Sequence, residues 1–392
     1  MIETTAIKTI IPASKRLGEV KEYYFSHKLR EIARLRANGL DVLNLGIGSP
    51  DLAPHPSVIK CLQEESAKPN THAYQSYTGL PELRTAFSNW YERYFAVSLN
   101  PSSEVLPLIG SKEGIMHISM AFLNEGDEVL VPNPGYPSYS SATRLAGGKV
   151  RSYELKAANN WQPDLDRLAQ TDLSKVKIMW VNYPHMPTGT VTTNELFKDL
   201  IAFAKTHEIV VINDNPYAFI LNDEPRSILA VDGAKEVALE LNSLSKAHNM
   251  AGWRVGMLAG AKAYLDVVLR FKSNMDSGMF KPVQLAATKA LLLPQNWYDQ
   301  QNDIYRVRKK VAQQIMQALN CKYDEKQVGL FIWAKVPAVY ENAYELSDEI
   351  LDNNAVFITP GGIFGTAGEQ YIRISLCSSV DVLQIALNRI TQ

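Results

Sequence analysis

Cysteine is scarce. Cys61, Cys321 and Cys377 stand far apart in 392 residues and form no Cys-x-x-Cys pair. That spacing excludes a disulfide framework and a thiolate zinc site, and it predicts buried thiols in a reducing compartment. Long apolar runs are missing as well: nothing reaches the ~18 uninterrupted apolar residues of a membrane span, and Glu3 interrupts the place where a secretory leader would be apolar. Charge of one sign is also lacking. Forty basic and 41 acidic side chains leave a formal net charge of −1, so no bulk field draws nucleic acid or an anionic membrane. Gly46-Ile47-Gly48 has no third glycine, which disfavours a nicotinamide-binding loop. The expectation is a cytoplasmic protein without nucleic-acid or membrane partners, whose charged sites are built from individual residues.

What is present is an ordinary globular composition, 46% apolar and 21% charged, on a chain longer than one core usually supports. The first 15 residues read as an extended arm, followed by a charged helix from about Val20 to Asn38 that Gly39 closes. Apolar runs then recur at Val105–Ile109, Glu128–Val131, Val150–Tyr153, Lys177–Val181, Ile209–Ile212, Leu239–Leu241 and Arg254–Leu258, with helical stretches such as Ser111–Leu123 and Thr193–Thr206 between them. Such alternation predicts an α/β fold with a mostly parallel sheet wrapped by helices, binding ligands beyond the carboxyl ends of its strands. After a long helical region, Pro282 to Leu319, strands at Leu330–Ala334, Val356–Ile358 and Tyr371–Ser375 mix with helices at Ala343–Asp352 and Asp381–Ile390. That end predicts a smaller α+β domain completed by the N-terminal helix. The expected division is 1–50 (arm and part of the small domain), 51–285 (large domain) and 286–392 (small domain).

Several windows carry groups with chemical potential. Lys246, in Asn242-Ser243-Leu244-Ser245-Lys246, follows an apolar strand, where desolvation would lower its pKa from ~10.4 and free the amine for attack on an aldehyde. A turn lysine in water is the alternative. Arg254, eight residues on, could return to the same pocket. Gly110-Ser111-Lys112-Glu113-Gly114 joins a strand to a helix, so its N–H groups and the Ser111 hydroxyl could cradle a phosphate, or Ser111 could be a plain N-cap with Glu113 as first-turn acid. Asp214 ends a strand and could keep a pyridinium protonated, with Tyr217 reaching the same ring; Asp-Asn-Pro is equally a turn sequence. Tyr136, in a Pro-rich loop, could stack on a flat ring or merely pack. Arg373 interrupts an apolar strand and needs a carboxylate, from protein or substrate.

Taken in order, these windows resemble the class I/II aminotransferases of the fold-type I pyridoxal-phosphate enzymes, from about Leu17 to Cys377. The resemblance implies a seven-stranded large domain and pyridoxal 5′-phosphate as cofactor. It assigns Lys246 as Schiff-base lysine and general base, and Asp214 and Tyr217 as partners of the ring nitrogen and 3′-oxygen. Ser111, Lys112, Ser243 and Arg254 fall at the phosphate positions, and Tyr136 at the stacking aromatic. Arg373 and Gly48, the latter in Leu43-Asn44-Leu45-Gly46-Ile47-Gly48-Ser49-Pro50-Asp51, lie at the substrate carboxylate. Tyr74 matches a tyrosine that reaches the phosphate in a neighbouring subunit, which implies a homodimer with shared sites. The implied reaction is ping-pong transfer of an amino group between an amino acid and a 2-oxo acid. Arg16-Leu17, Tyr23-Tyr24-Phe25 and the glycine segment look most like the LL-diaminopimelate branch, with aspartate and alanine enzymes sharing much of the pattern. A C–S β-lyase on the same scaffold would use the same lysine, aspartate and arginine. A transcription regulator would need a helix-turn-helix module, for which the ~40 residues before the substrate loop leave no room.

One window departs from the family. Its Asn-Tyr-Pro-Asn-Asn-Pro-Thr-Gly is here Asn182-Tyr183-Pro184-His185-Met186-Pro187-Thr188-Gly189, so the asparagine expected to donate to the 3′-oxygen is Met186, which has no donor. Either Tyr217 supports that oxygen alone, or His185 shifts in. Under the first version the lysine–cofactor chromophore is more basic than with asparagine, because a donor stabilises the charged acceptor. Optical titration of the wild type and Met186→Asn is expected to show a lower midpoint in the variant; an equal or higher one rejects that version.

Overall fold

The computed structural model describes residues 10–18, 20 and 24–392; most of the expected N-terminal arm, and Tyr23, lie outside them. Among these residues thirteen strands run in chain order: β1 (Leu43–Asn44), β2 (Val105–Leu108), β3 (Glu128–Asn133), β4 (Lys149–Glu154), β5 (Val176–Val181), β6 (Val210–Asp214), β7 (Ala238–Ser243), β8 (Gly256–Ala259), β9 (Lys322–Tyr323), β10 (Phe331–Lys335), β11 (Val356–Phe357), β12 (Thr359–Pro360) and β13 (Tyr371–Ser375). Seven form the large sheet in the order β2-β8-β7-β6-β5-β3-β4. All its pairings are parallel except those of β8, which runs antiparallel to both β2 and β7.

Burial explains the composition of these strands. β7 is buried at all six positions and β5 at five of six, because helices cover both faces and leave no room for polar alternation. Val129, Val131, Ile178, Trp180, Ile212, Leu239 and Leu241 belong to one packed layer, with Ile115 and Ile118 of the helix Ser111–Phe122. The intervening Leu130, Met179, Val181, Val211 and Ala238 belong to the other, the two-residue period of a pleated strand. β4 lies at the sheet edge and reads Lys-Val-Arg-Ser-Tyr-Glu with one buried residue, charged as an edge must be to resist further pairing.

The C-terminal part contains the antiparallel sheet β12-β13-β10-β9 and the parallel pair β1-β11. Thus Leu43–Asn44, read from sequence as loop, is a strand, and the run read as Val356–Ile358 ends its strand at Phe357, with Thr359 opening a second strand in the other sheet. The helix Tyr24–Ala37 joins this part, with Lys28 paired to Asp348 at 3.4 Å and Tyr24 edge-on to Tyr344, as expected of the N-terminal helix. The long helical region is two helices, Lys281–Leu291 and Gln295–Ala318. Pro294 separates them because the residue before a proline is driven out of the helical region. Among the described residues no helix is long and apolar enough to cross a membrane.

The segment 45–53 straps the two parts together. Ser375 N–H donates to Leu45 O at 2.8 Å, and Asn249 Nδ2 donates to Ala53 O at 3.2 Å. Arg308 binds Asp51 through both its Nη atoms at 2.6 and 2.8 Å, while Nη1 also donates to Leu376 O at 3.0 Å. Arg308 is 3% exposed, so this fork-to-fork pair is partly desolvated and geometrically demanding. Arg308→Met is expected to lower stability by about 2 kcal/mol, less than a fully buried pair would lose because Asp51 keeps some water; the urea midpoint at pH 7 measures it.

Candidate active site

Parallel strands aim their carboxyl ends at one edge of the sheet, and a cleft of about 490 Å³ opens there. Its lining contains Gly48, Ser111, Lys112, Tyr136, Asp214, Tyr217, Ser243, Lys246, Arg254 and Arg373. Ten of the eleven residues singled out from the sequence therefore converge. Because β8 is antiparallel, it begins at this edge, and that reversal delivers Arg254, two residues before it, to the same cleft as the strand ends. Strand reading had started β8 at Arg254; it starts at Gly256.

Lys246 lies three residues past β7, and its Nζ donates to Gly48 O at 2.6 Å and sits 5.9 Å from the centre of the Tyr217 ring. Burial holds its pKa below the usual lysine range; nearby Arg373 and Arg254 act in the same direction, while Cys377 and Asp214 oppose them. A turn lysine bathed in water is thereby excluded. Asp214 ends β6 at 5% exposure. Its Oδ2 accepts the Tyr139 hydroxyl at 2.9 Å, and its Oδ1 is buried with no hydrogen-bond partner among the described residues. Burial pushes this carboxyl up to about 6, against the Tyr139 hydrogen bond and Lys246 and with help from Glu240. An unsatisfied buried oxygen is costly unless a ligand donor or a proton occupies it.

The strand-to-helix turn 110–114 is built around a backbone constraint. Gly110 has φ 81° and is the N-cap of the helix Ser111–Phe122, so Ser111 is the first helical residue and not the cap. A Cβ on Gly110 would stand 2.1 Å from Arg254 Nη2. Only glycine fits both demands. Arg254 itself is left-handed at φ 55°, with Nη1 donating to Ala251 O at 2.8 Å; this conformation costs roughly 1 kcal/mol or more in a non-glycine residue. Ser243 Oγ and Ser245 Oγ are 2.8 Å apart at the same rim. Glu113 turns away and meets His117 Nε2 at 2.6 Å. These two and Asp276 converge, but Lys272 Nζ already lies 2.8 Å from Asp276 Oδ2 and 3.0 Å from its Oδ1, supplying the local positive charge.

Arg373 is 4% exposed in β13. Nη2 donates to Gly46 O at 2.8 Å, Nη1 lies 3.3 Å from Met186 Sδ, and the guanidinium carbon is 3.8 and 4.5 Å from the ring centres of Phe331 and Phe364. These aromatic contacts stabilise the cation while it faces the cleft. Phe331 also explains Gly48, whose Cβ would fall 2.2 Å from its ring.

Sequence reasoning missed Tyr139, Asn182, Ser245 and Phe331. Asn182 spans Asp214 O and the Met186 N–H. Tyr139 stacks on Trp180 with ring centres 4.9 Å apart and planes 5° from parallel. Its only sequence signal was the three-residue spacing from Tyr136 across a helix start. His185 does not shift into the cleft: it is 2% exposed, bonded at Nδ1 to Thr188 Oγ1 at 2.8 Å, and absent from the lining, which removes that explanation for the Met186 departure. Tyr74 is 90% exposed and is not brought to this chain's cleft.

The family model for aminotransferase class I and II matches residues 40–390. The chain belongs to that family. An LL-diaminopimelate aminotransferase of Dehalococcoides mccartyi is 43% identical over 93% of this chain and 94% of its own. Among solved structures, substrate-bound BacF from Bacillus subtilis is similar at TM-score 0.93 and 32% identity, over 97% of this chain and 98% of that one. A Thermus thermophilus aspartate aminotransferase variant matches at TM-score 0.90 and 26% identity, covering 97% and 99%. The protein is thus an aminotransferase of a pyridoxal-phosphate-dependent family, and the β-lyase alternative is not favoured.

In this aminotransferase Tyr139→Phe removes a donor to the charged form of Asp214, so its carboxyl is expected to titrate above the present value of about 6. Carbon NMR of aspartate-labelled protein measures this; a lower midpoint would refute the assigned hydrogen-bond role.

Proposed function

We propose that this aminotransferase holds pyridoxal phosphate on Lys246 and transfers the amino group of LL-diaminopimelate to a 2-oxo acid, with 2-oxoglutarate and glutamate as the second couple. The observation that carries the cofactor assignment is the unpartnered Oδ1 of Asp214 in the same cleft as the Lys246 amine. A protonated ring nitrogen would satisfy that oxygen. Ser111, Lys112, Ser243 and Arg254 would hold the phosphate at the helix start, Tyr136 would stack on the ring, and Tyr217 would donate to its phenolic oxygen. Bound there, the cofactor supplies an aldehyde for amines and a ring that withdraws electrons from the substrate Cα.

The chain's own residues do the rest. Burial lowers the Lys246 pKa, so the amine is available as a nucleophile and, once released, as a base for the Cα proton. Gly48 O fixes its direction from the opposite side of the cleft. Arg373, between Phe331 and Phe364, binds the substrate carboxylate in a site from which the rings exclude water. Two half-reactions through one lysine give ping-pong kinetics.

The diaminopimelate assignment rests on relatives such as the 43% identical enzyme named for it. A second copy of the chain completes the site. Tyr74, Tyr77, Met275 and Phe280 are exposed at 90, 43, 61 and 43%. Their segments lie together: the His72 and Phe280 rings stack at 5.9 Å, and a Cβ on Gly278 would meet Gln75 O at 2.5 Å. Apolar exposure of this kind marks a protein interface, and Tyr74 would cross it to the partner's phosphate. The free thiols suit a cytoplasmic setting.

Lys246→Ala is expected to bind the cofactor without the visible lysine-linked band and to lose turnover almost entirely. In the wild type, a panel of amino donors should show LL-diaminopimelate bleaching that band with the highest kcat/KM. Turnover surviving in the variant sinks the lysine assignment. A donor preference for aspartate, alanine or aromatic amino acids sinks the substrate, and pyruvate plus ammonia released without an acceptor would revive the lyase.

A further inference from the structure

Glu240 is a buried ionisable group that the reaction outlined above does not use. It sits in β7 at 0% exposure, opposite Asn213 of β6. Its Oε1 accepts the Tyr91 hydroxyl at 2.9 Å, and its Oε2 accepts Asn213 Nδ2 at 2.9 Å and Ile228 N–H at 3.0 Å. These donors are all neutral. A carboxylate ringed by donors is matched as an anion, since its charged form accepts every bond and a protonated form would present an O–H to other donors. Burial raises its pKa, and the bonds from Asn213, Ser227, Ile228 and Tyr91 oppose that rise.

The contacts lead from this carboxylate to the site by two routes. Asn213 Oδ1 accepts the Tyr183 N–H at 3.1 Å, fixing the turn from which Asn182 and Met186 line the cleft, and the residue after Asn213 is Asp214. Along β7, Asn242, Ser243 and Lys246 follow Glu240 on the same strand and its exit loop.

We propose that Glu240 is a positioning residue that ties the ends of β6 and β7 together and, as a fixed anion with only neutral donors, favours positive charge in the cleft on Lys246 and on the cofactor it carries. The inference rests on the pyridoxal-phosphate reading. The groups facing the Lys246 nitrogen are Asp214, Tyr217, Cys377, Arg373 and Arg254, with Tyr139 and Glu240 acting on Asp214. Arg373 and Arg254 already disfavour a cation there, so an additional anion has work to oppose.

Glu240→Gln separates charge from shape. The amide oxygen can accept from Asn213 and Ile228 while its NH₂ donates to the Tyr91 oxygen, whose hydroxyl hydrogen can rotate away. In the holoenzyme, the pH midpoint of the visible lysine-linked band is expected to fall by about half a unit or more, the scale of one charge acting through protein, while the band itself remains. A merely structural role would lower the melting temperature and leave the midpoint unchanged, and that outcome overturns the proposal. Should the variant not fold, carbon NMR of glutamate-labelled wild-type holoenzyme decides instead. A buried glutamate carboxyl that stays ionised from pH 6 to 8 is expected; one protonated at neutral pH overturns the proposal. A wild type with no lysine-linked band fails the cofactor reading, an outcome distinct from either of these.

Discussion

The contact on which the site depends is the one between the Lys246 amine and the Gly48 carbonyl. It joins a loop leaving the large sheet to a strap whose other carbonyl, Gly46 O, is held by Arg373 and Thr359 from the small sheet. Two carbonyls two residues apart therefore orient the Lys246 amine on one side and the Arg373 guanidinium on the other. Neither position admits a side chain: a Cβ at Gly46 would meet Phe357 and Thr359 at 2.5 Å, and one at Gly48 would meet Phe331 at 2.2 Å. The spacing between that amine and that guanidinium is consequently a property of backbone geometry. Catalysis by orientation requires that kind of rigidity, because small displacements of a reacting group are expensive in rate.

Electrostatics in the cleft follows from the same crowding. Lys112, Lys246, Arg254 and Arg373 bring four cationic side chains to one small volume, and burial already disfavours charge on Lys246. Asp214 is the acid in that lining, and it too is pushed toward neutrality by burial. Left without ligands, such a site opposes its own charges; a phosphate dianion, a carboxylate and a ring cation would each relieve part of that opposition. Such an arrangement would select ligands by sign at three separate points, with Arg373 packed between aromatic rings where charge is weakly screened.

Much of this was legible in the sequence, for a physical reason. Parallel strands buried on both faces become uninterrupted apolar runs, so the polar residue that ends each run stands out, and Asp214, Ser243, Lys246 and Ser111 were all recognisable as strand-end groups. Strand order was not legible, because nothing in β8 as a sequence reveals that it runs against its neighbours. Tyr139, Asn182 and Phe331 were hidden for a related reason. Each acts through a partner 30 or more positions away in the chain, and local pattern has no access to such pairs. Pro294 shows the opposite case: a break visible to local chemistry was overlooked inside a strongly periodic helical region.

Met186 links these themes. Its backbone N–H is held by Asn182, which also holds the Asp214 carbonyl, so the turn is anchored as firmly as one carrying a polar side chain would be. Only the outward chemistry has changed, from an amide to a thioether that lies against Arg373. With His185 committed to Thr188 outside the cleft, Tyr217 is the hydroxyl donor left on that side of the pocket, and it is buried beside both Asp214 and Arg373. A substitution that leaves the scaffold intact while removing one donor would move the tuning of a bound cofactor from several hydrogen bonds to the field of the surrounding charges. Fixed charges one strand away from the reacting groups would then gain influence that a fully hydrogen-bonded site would deny them.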